Sequence, residues 1–265
     1  MSYHGVLLPS GLLSSAVLGG ATSGGPTSPS DPHYTLGDPG RPAAVPTLLI
    51  AVFDSSGSVT SPAGTDPLSN RFAEVARAFS VVARRGARHE LGVVVHFDTP
   101  STGEVGPVPI TRRGLPVLRA GLRMPPDGAG SSKLAPSLRR AVEIAQAHPG
   151  HEVTLVVLSD FLLLDPDPAQ VLADLAAFPG QVHAVVLGVR LPAGVLDERV
   201  TVTHIGRHDP PGAVARAVFA SLTARRPGSR PDGATADASV LLRKRLSRIP
   251  QRLFAPSRIP SDDTR

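Results

Sequence analysis

Thr47-Leu48-Leu49-Ile50-Ala51-Val52-Phe53 runs straight into Asp54-Ser55-Ser56-Gly57-Ser58. Six apolar residues in a row, without alternation, are the pattern of a parallel strand covered on both faces. The five residues that follow place a carboxylate and several hydroxyls at the end of that strand. Hard oxygens of this kind are what a divalent cation such as Mg²⁺ prefers. Two later positions fit the same chemistry. Asp160 follows a second apolar run, Val153 to Ser159, and Ser132 stands just before a helical pattern beginning at Leu134.

Outward from this stretch, strand and helix patterns alternate. Phe72, Val75, Ala76, Phe79, Val82 and Ala83 recur at helical spacing, with Arg84-Arg85-Gly86 as a stop. Glu90 to Phe97 is a strand, Val108 to Thr111 a short edge strand, and Leu115 to Leu122 a short helix with Pro116 in its first turn. Leu134, Leu138, Ala141, Val142 and Ala145 make one apolar stripe that ends near His148-Pro149-Gly150. Asp167-Pro168 opens a helix with a capping carboxylate and a proline at its first position. Gln181–Val189 and Arg199–Ile205 are further strands, and Pro211–Ala224 is a last helix. Such alternation predicts an α/β fold: a doubly wound, mostly parallel central sheet with helices on both faces. Ligands of these sheets collect outside the carboxyl ends of the strands, where Asp54, Asp160 and Ser132 fall.

The domain organisation follows from composition. Residues 1–46 form an N-terminal extension whose second half, from Gly20, is dense in Gly, Pro, Ser and Thr and is expected to be a linker or an irregular extended arm. Residues 47–225 are the globular domain, and 226–265 a basic tail. Leu242, Leu246, Ile249 and Leu253 recur there among Arg243, Lys244, Arg245, Arg248 and Arg252, a short basic amphipathic helix broken at Pro250, or a partly disordered tail. Residues 225–265 carry ten Lys or Arg against four Asp or Glu, so the remainder, seventeen against eighteen, is nearly neutral. That balance, with aromatics at 4% and no Trp, argues against nucleic-acid binding by the core. The chain has no Cys, which excludes disulfides and thiolate metal sites. Gly5–Ala21 lacks a basic start and is interrupted by Pro9 and Gly11, so it is not taken as a secretion signal, and a cytoplasmic location is expected. High Ala, Arg, Gly and Pro with very little Lys point to a GC-rich bacterial gene.

At these residues the chain resembles the von Willebrand factor A domain family, over roughly residues 45–225. Members carry a metal-ion-dependent adhesion site whose first segment is Asp-x-Ser-x-Ser, matched here by Asp54, Ser56 and Ser58. The second segment usually supplies a Thr before a helix; Ser132, within Gly130-Ser131-Ser132-Lys133-Leu134, stands in its place. The third is an Asp after a hydrophobic strand, often followed by Gly; here it is Asp160, followed by Phe161. Ser for Thr keeps the oxygen, Lys133 adds a cation beside the site, and Phe161 suggests a different backbone path. The resemblance implies a Mg²⁺ site, or Mn²⁺ or Ca²⁺, formed by Asp54, Ser56, Ser58, Ser132 and Asp160. It implies a protein partner that offers a Glu or Asp to the metal, so the chain would be a non-enzymatic, metal-dependent protein–protein interaction module. An alternative role is adaptor subunit of an AAA+ ATPase, in a chelatase-like complex.

Other readings weigh against these. The Asp54–Ser58 segment alone is compatible with a turn or helix cap that binds no metal, and Ser132 with the N-cap of the helix at Leu134. A Mg²⁺-dependent phosphohydrolase would use Asp54 as nucleophile, but it would want a second acid nearby, and position 56 is Ser. No Gly-x-Ser-x-Gly elbow and no phosphate-binding Gly-x-x-x-x-Gly-Lys loop occurs. His96, His183 and His204 fall in strand patterns, where packed, hydrogen-bonded histidines are expected rather than ligands. Asp98 is read as a plain loop carboxylate, with the same rim as the alternative. For the tail, docking on an acidic partner or contact with an anionic membrane are the lesser alternatives.

Overall fold

The computed structural model describes residues 34–232, apart from 62, 67–69, 98–100 and 126–129. The Gly5–Ala21 segment, Asp98 and the Leu242–Leu253 pattern therefore lie outside the described residues. In chain order the elements are β1 (Gly37–Asp38), β2 (Thr47–Phe53), α1 (Gly57–Thr60), α2 (Arg71–Ala83), β3 (Glu90–His96), β4 (Val105–Pro109) and α3 (Leu115–Gly121). There follow α4 (Ala135–Gln146), β5 (Glu152–Ser159), α5 (Pro168–Ala176), β6 (Gln181–Leu187), β7 (Val200–Ile205), α6 (Ala213–Thr223) and β8 (Arg230–Pro231).

Six strands form one sheet in the order β4-β3-β2-β5-β6-β7. All neighbours run parallel except β4, which lies antiparallel on β3. The unbroken apolar run of β2 is explained by its central place. Leu49, Ala51 and Phe53 pack on one face with residues of α2 and α6, and Leu48, Ile50 and Val52 on the other with residues of α4 and α5. Each Leu, Ile, Val or Phe among these contributes roughly 1.5–3 kcal/mol by leaving water. The chain leaves β2 toward β3 on one side and leaves β5 toward β6 on the other, so the winding reverses between β2 and β5. In a doubly wound sheet that reversal opens a crevice at the strands' carboxyl ends.

Local chemistry sets the helix ends. The Asp167 side chain accepts a hydrogen bond from Gln170 N at 3.0 Å, as the Asp-Pro pair predicts for α5. The start of α4 differs from expectation. Ser132 makes no cap there; Asp165, thirty residues on, accepts from Leu134 N at 2.9 Å and Ala135 N at 3.0 Å. Glu74 of α2, buried, caps α6 in the same remote way by accepting from Gly212 N at 2.7 Å and Ala215 N at 3.0 Å.

The described end of the expected linker lies on the domain. Leu36 and Ala43 are buried, and β1 pairs antiparallel with β8 from the start of the expected tail. Arg226 fixes both. Its Nη1 donates to both Glu90 carboxylate oxygens at 2.6 Å, its Nε to Pro39 O at 2.8 Å and its Nη2 to Arg85 O at 2.9 Å. Of the strand histidines, His96 and His183 are buried and hydrogen-bonded, while His204 is exposed on the edge strand β7. Among the described residues no helix is long and apolar enough to cross a membrane.

Candidate metal centre

β2 and β5 are paired in register, Phe53 opposite Leu158, so the residues that follow each strand emerge side by side. Asp54 N donates to Leu158 O at 3.0 Å, prolonging the ladder by one bond. The side chains then join the two loops directly: Ser159 Oγ donates to Asp54 Oδ2 at 2.6 Å. The other oxygen, Oδ1, accepts from Ser56 N at 2.9 Å, which turns the loop back on itself and starts α1. Asp54 and Asp160 are both fully buried.

The hydroxyls come next. Ser56 Oγ lies 3.0 Å from Ser58 Oγ, with Ser56 buried and Ser58 exposed. Asp160 is held from two sides. Its Oδ1 accepts from Leu162 N at 3.1 Å and its Oδ2 from Thr65 Oγ1 at 3.5 Å. Ser132 is buried on the loop before α4, and its carbonyl accepts from Leu164 N at 2.9 Å, tying this third segment to the loop after β5. The structure thus brings Asp54, Ser56, Ser58 and Asp160 together through bonded neighbours, and anchors the main chain of Ser132 to the same loop system. Lys133 is exposed.

Electrostatics distinguish this rim from an ordinary turn. Burial pushes the Asp54 carboxyl above the usual carboxylate range; hydrogen bonds from Ser159 and Ser56 pull it back, and the negative Asp160 adds to the rise. A buried cation beside the site serves elsewhere. Arg71, buried, pairs with Asp66 at 2.5 Å and donates to the Asp54 carbonyl at 2.9 Å, not to its carboxylate. Both carboxylates, Asp54 and Asp160, are buried, and among the described residues neither side chain has an ion-pair partner. A bound cation would reverse that cost.

The donor set fits a small divalent ion. Mg²⁺–oxygen bonds of about 2.0–2.1 Å place neighbouring ligands of an octahedron about 2.9 Å apart. The Ser56 and Ser58 hydroxyls, 3.0 Å apart, match that edge. Each Asp54 oxygen already accepts one protein hydrogen bond, which suits it to hold a metal-bound water. Among the described residues no three His, Asp or Glu side chains stand together as a metal cluster.

Two participants had no clear signal in the sequence. Thr65 belongs to a loop between α1 and α2 that returns over the site, with Thr65 N on Ser58 O at 2.9 Å, and only the tertiary fold places it near Asp160. Ser159 was visible as the residue before Asp160, but its bond across to Asp54 depends on strand register. Phe161 takes φ 58, the left-handed region that favours Gly. The backbone there follows the turn that a Gly would make, rather than the different path expected from a bulky residue.

Solved structures share this architecture. Von Willebrand factor type A from Catenulispora acidiphila matches at TM-score 0.50 and 14% identity over 72% of this chain and 48% of its own. The chain has the von Willebrand factor A fold. The pilus adhesin SpaC from Lactobacillus rhamnosus GG matches at TM-score 0.50 and 14% identity, over 69% of this chain and 30% of the adhesin. The chain thus spans about half the length of the first structure and under a third of the second, and the A-fold likeness concerns the domain alone. No protein-family model matches the chain, and no curated protein matches it in sequence.

Proposed function

We propose that this A-fold domain is a metal-dependent protein-binding module. Ser56, Ser58 and Ser132 supply hydroxyl oxygens, and Asp54 and Asp160 supply negative charge, directly or through oriented water. A bound Mg²⁺ or Mn²⁺ would supply Lewis acidity toward one further oxygen from outside, a Glu or Asp carboxylate of a partner protein. The observation that carries this reading is the hydrogen bond from Ser159 Oγ to Asp54 Oδ2, which draws two acidic loops to one rim beside the Ser56–Ser58 pair.

The protein's own part is positioning. The Ser56 N–H and the Ser159 hydroxyl fix the Asp54 carboxylate, while Leu162 N and Thr65 fix that of Asp160. Leu162 and Leu164, 56% and 66% exposed, stand on the adjoining loop and offer apolar contact to whatever presents the carboxylate. Phosphoryl transfer through Asp54 fits poorly, because the side chain is fully buried and both its oxygens accept hydrogen bonds.

The test is capture of binding proteins by the immobilised full chain, in Mg²⁺ and in EDTA, beside Asp54→Ala. The proposal expects partners retained by wild type in Mg²⁺ alone, and none by the variant. Retention that is the same in EDTA, or by the variant, overturns it.

A further inference from the structure

At the opposite end of the sheet, α2 ends and β4 runs into α3, and an open groove of about 660 Å³ lies between them. Arg84, Arg88, Arg112 and Arg113 line it, and among the described residues no acidic one does. All four are exposed, and among the described residues none of their side chains has a hydrogen-bond or ion-pair partner. Their neighbour Arg85 differs, being paired with Asp38 at 2.7 Å. A basic residue after a helix complements the dipole of its C-terminus, which explains Arg84. It does not explain Arg88, Arg112 or Arg113, which lie on other segments.

The main chain forces these charges together. A Cβ on Gly86 would come within 1.7 Å of Ile110 O, and one on Gly114 within 2.0 Å of Pro109 O. Each loop therefore presses on the β4 end through a residue with no side chain. Ile110 N also donates to Glu90 O at 2.7 Å and Gly114 N to Thr111 Oγ1 at 3.2 Å, so the groove is braced. Four unpaired guanidiniums held side by side on a nearly neutral domain form a local field, not a general one.

We infer that this groove is a docking surface for an acidic, Asp/Glu-rich segment of a partner protein. Guanidinium forks match carboxylates in paired geometry. The near-neutral charge of residues 1–224 offers no field to hold a long polyanion. Among the described residues no aromatic one lines the groove to stack a base. The surface lies at the amino ends of strands whose carboxyl ends carry the metal rim, roughly 20 Å away by the length of a seven-residue strand. It works without the metal, so the domain can hold two acidic contacts at once.

The test uses the full chain and a fluorescein-labelled octaglutamate peptide, read by fluorescence anisotropy at low salt in EDTA. Arg112→Gln/Arg113→Gln and Arg84→Gln/Arg88→Gln are compared with a tail control of equal charge loss, Arg243→Gln/Arg245→Gln. Each groove pair is expected to weaken binding about tenfold, the scale of two exposed charge contacts, and the control less than twofold. Mg²⁺ in place of EDTA should leave these ratios unchanged. The four side chains are exposed, so unaltered circular dichroism is expected; Arg113→Glu supplies a second variant and should weaken binding further than Arg113→Gln. Equal losses in groove and tail variants would reduce the effect to net charge and overturn the inference. So would a single-stranded oligonucleotide of the same charge that binds more tightly and suffers the same groove-specific loss.

Discussion

Replacing Arg226 with Met tests whether the segments flanking the A fold belong to it structurally. The guanidinium is wholly buried, and Glu90 is 3% exposed. In Arg226→Met, Glu90 keeps its bonds from Ala43 N at 3.1 Å and Ala87 N at 2.9 Å but loses its counter-charge. The carbonyls of Pro39 and Arg85 lose their donor as well. Breaking a buried ion pair from one side costs about 3–5 kcal/mol, and each orphaned carbonyl about 1 kcal/mol or more. Allowing for partial relaxation, the expected loss is about 5 kcal/mol, or roughly 10–20 °C in Tm for a domain of this size. Urea denaturation followed by circular dichroism measures it. Arg226→Lys, which keeps the charge but has a single nitrogen, should lose about half as much. Glu90→Gln/Arg226→Met should lie above Arg226→Met, because no unpaired charge is left buried. A loss under about 1 kcal/mol for Arg226→Met, or a double variant weaker than the single, would show that the Arg226–Glu90 pair does not hold the flanking segments to the domain.

Asp54→Asn should raise the Tm of the metal-free protein at pH 7.5, since it removes a carboxylate whose ionised form the fold disfavours. A raised carboxyl binds its proton more tightly in the folded state, so this gain should shrink as pH falls toward 4; a lower Tm than wild type in EDTA would contradict it. His183 behaves oppositely: burial pushes its pKa down to about 4, so the folded state stays neutral while the unfolded imidazole charges below about 6.5. Stability should fall by roughly 3 kcal/mol between pH 6.5 and 4, and His183→Gln should flatten that slope in acid denaturation. Glu74→Gln swaps one acceptor oxygen for a donor opposite the α6 N–H groups. It should cost about 2–3 kcal/mol in urea denaturation, and a neutral result would remove Glu74 as the cap.

The sequence made the layers legible because they rest on local patterns. An apolar run such as Leu48–Phe53 can satisfy itself only between two helical layers, and β2, Thr47–Phe53, contains that run and ends with it. Asp167-Pro168 carried its own helix start. What stayed hidden depends on residues far apart in the chain. Asp165 caps a helix that begins thirty residues earlier, and Glu74 caps one that lies beyond residue 210. Neither has a local signature, whereas Ser132, which has one, does not cap. The Gly/Pro-rich stretch reads as a linker or irregular arm because few of its side chains are apolar; its described end, residues 34–46, is held by Leu36, Ala43 and the Arg226 hub, through main-chain carbonyls that no residue pattern announces. At the candidate site, Asp54, Ser56, Ser58 and Asp160 were visible as types and spacings. Thr65 and the Ser159 bond needed the register of β2 on β5.

The proposed metal centre would hold one divalent ion on the oxygens of these loops. Titration of the full chain with Mn²⁺, followed by electron paramagnetic resonance of the free ion, measures that directly. One equivalent should disappear from the free signal with wild type, Mg²⁺ should release it, and Ser56→Ala/Ser58→Ala should take up none. Wild type that leaves the free signal unchanged, or a double variant that binds Mn²⁺ as wild type does, would contradict the claim.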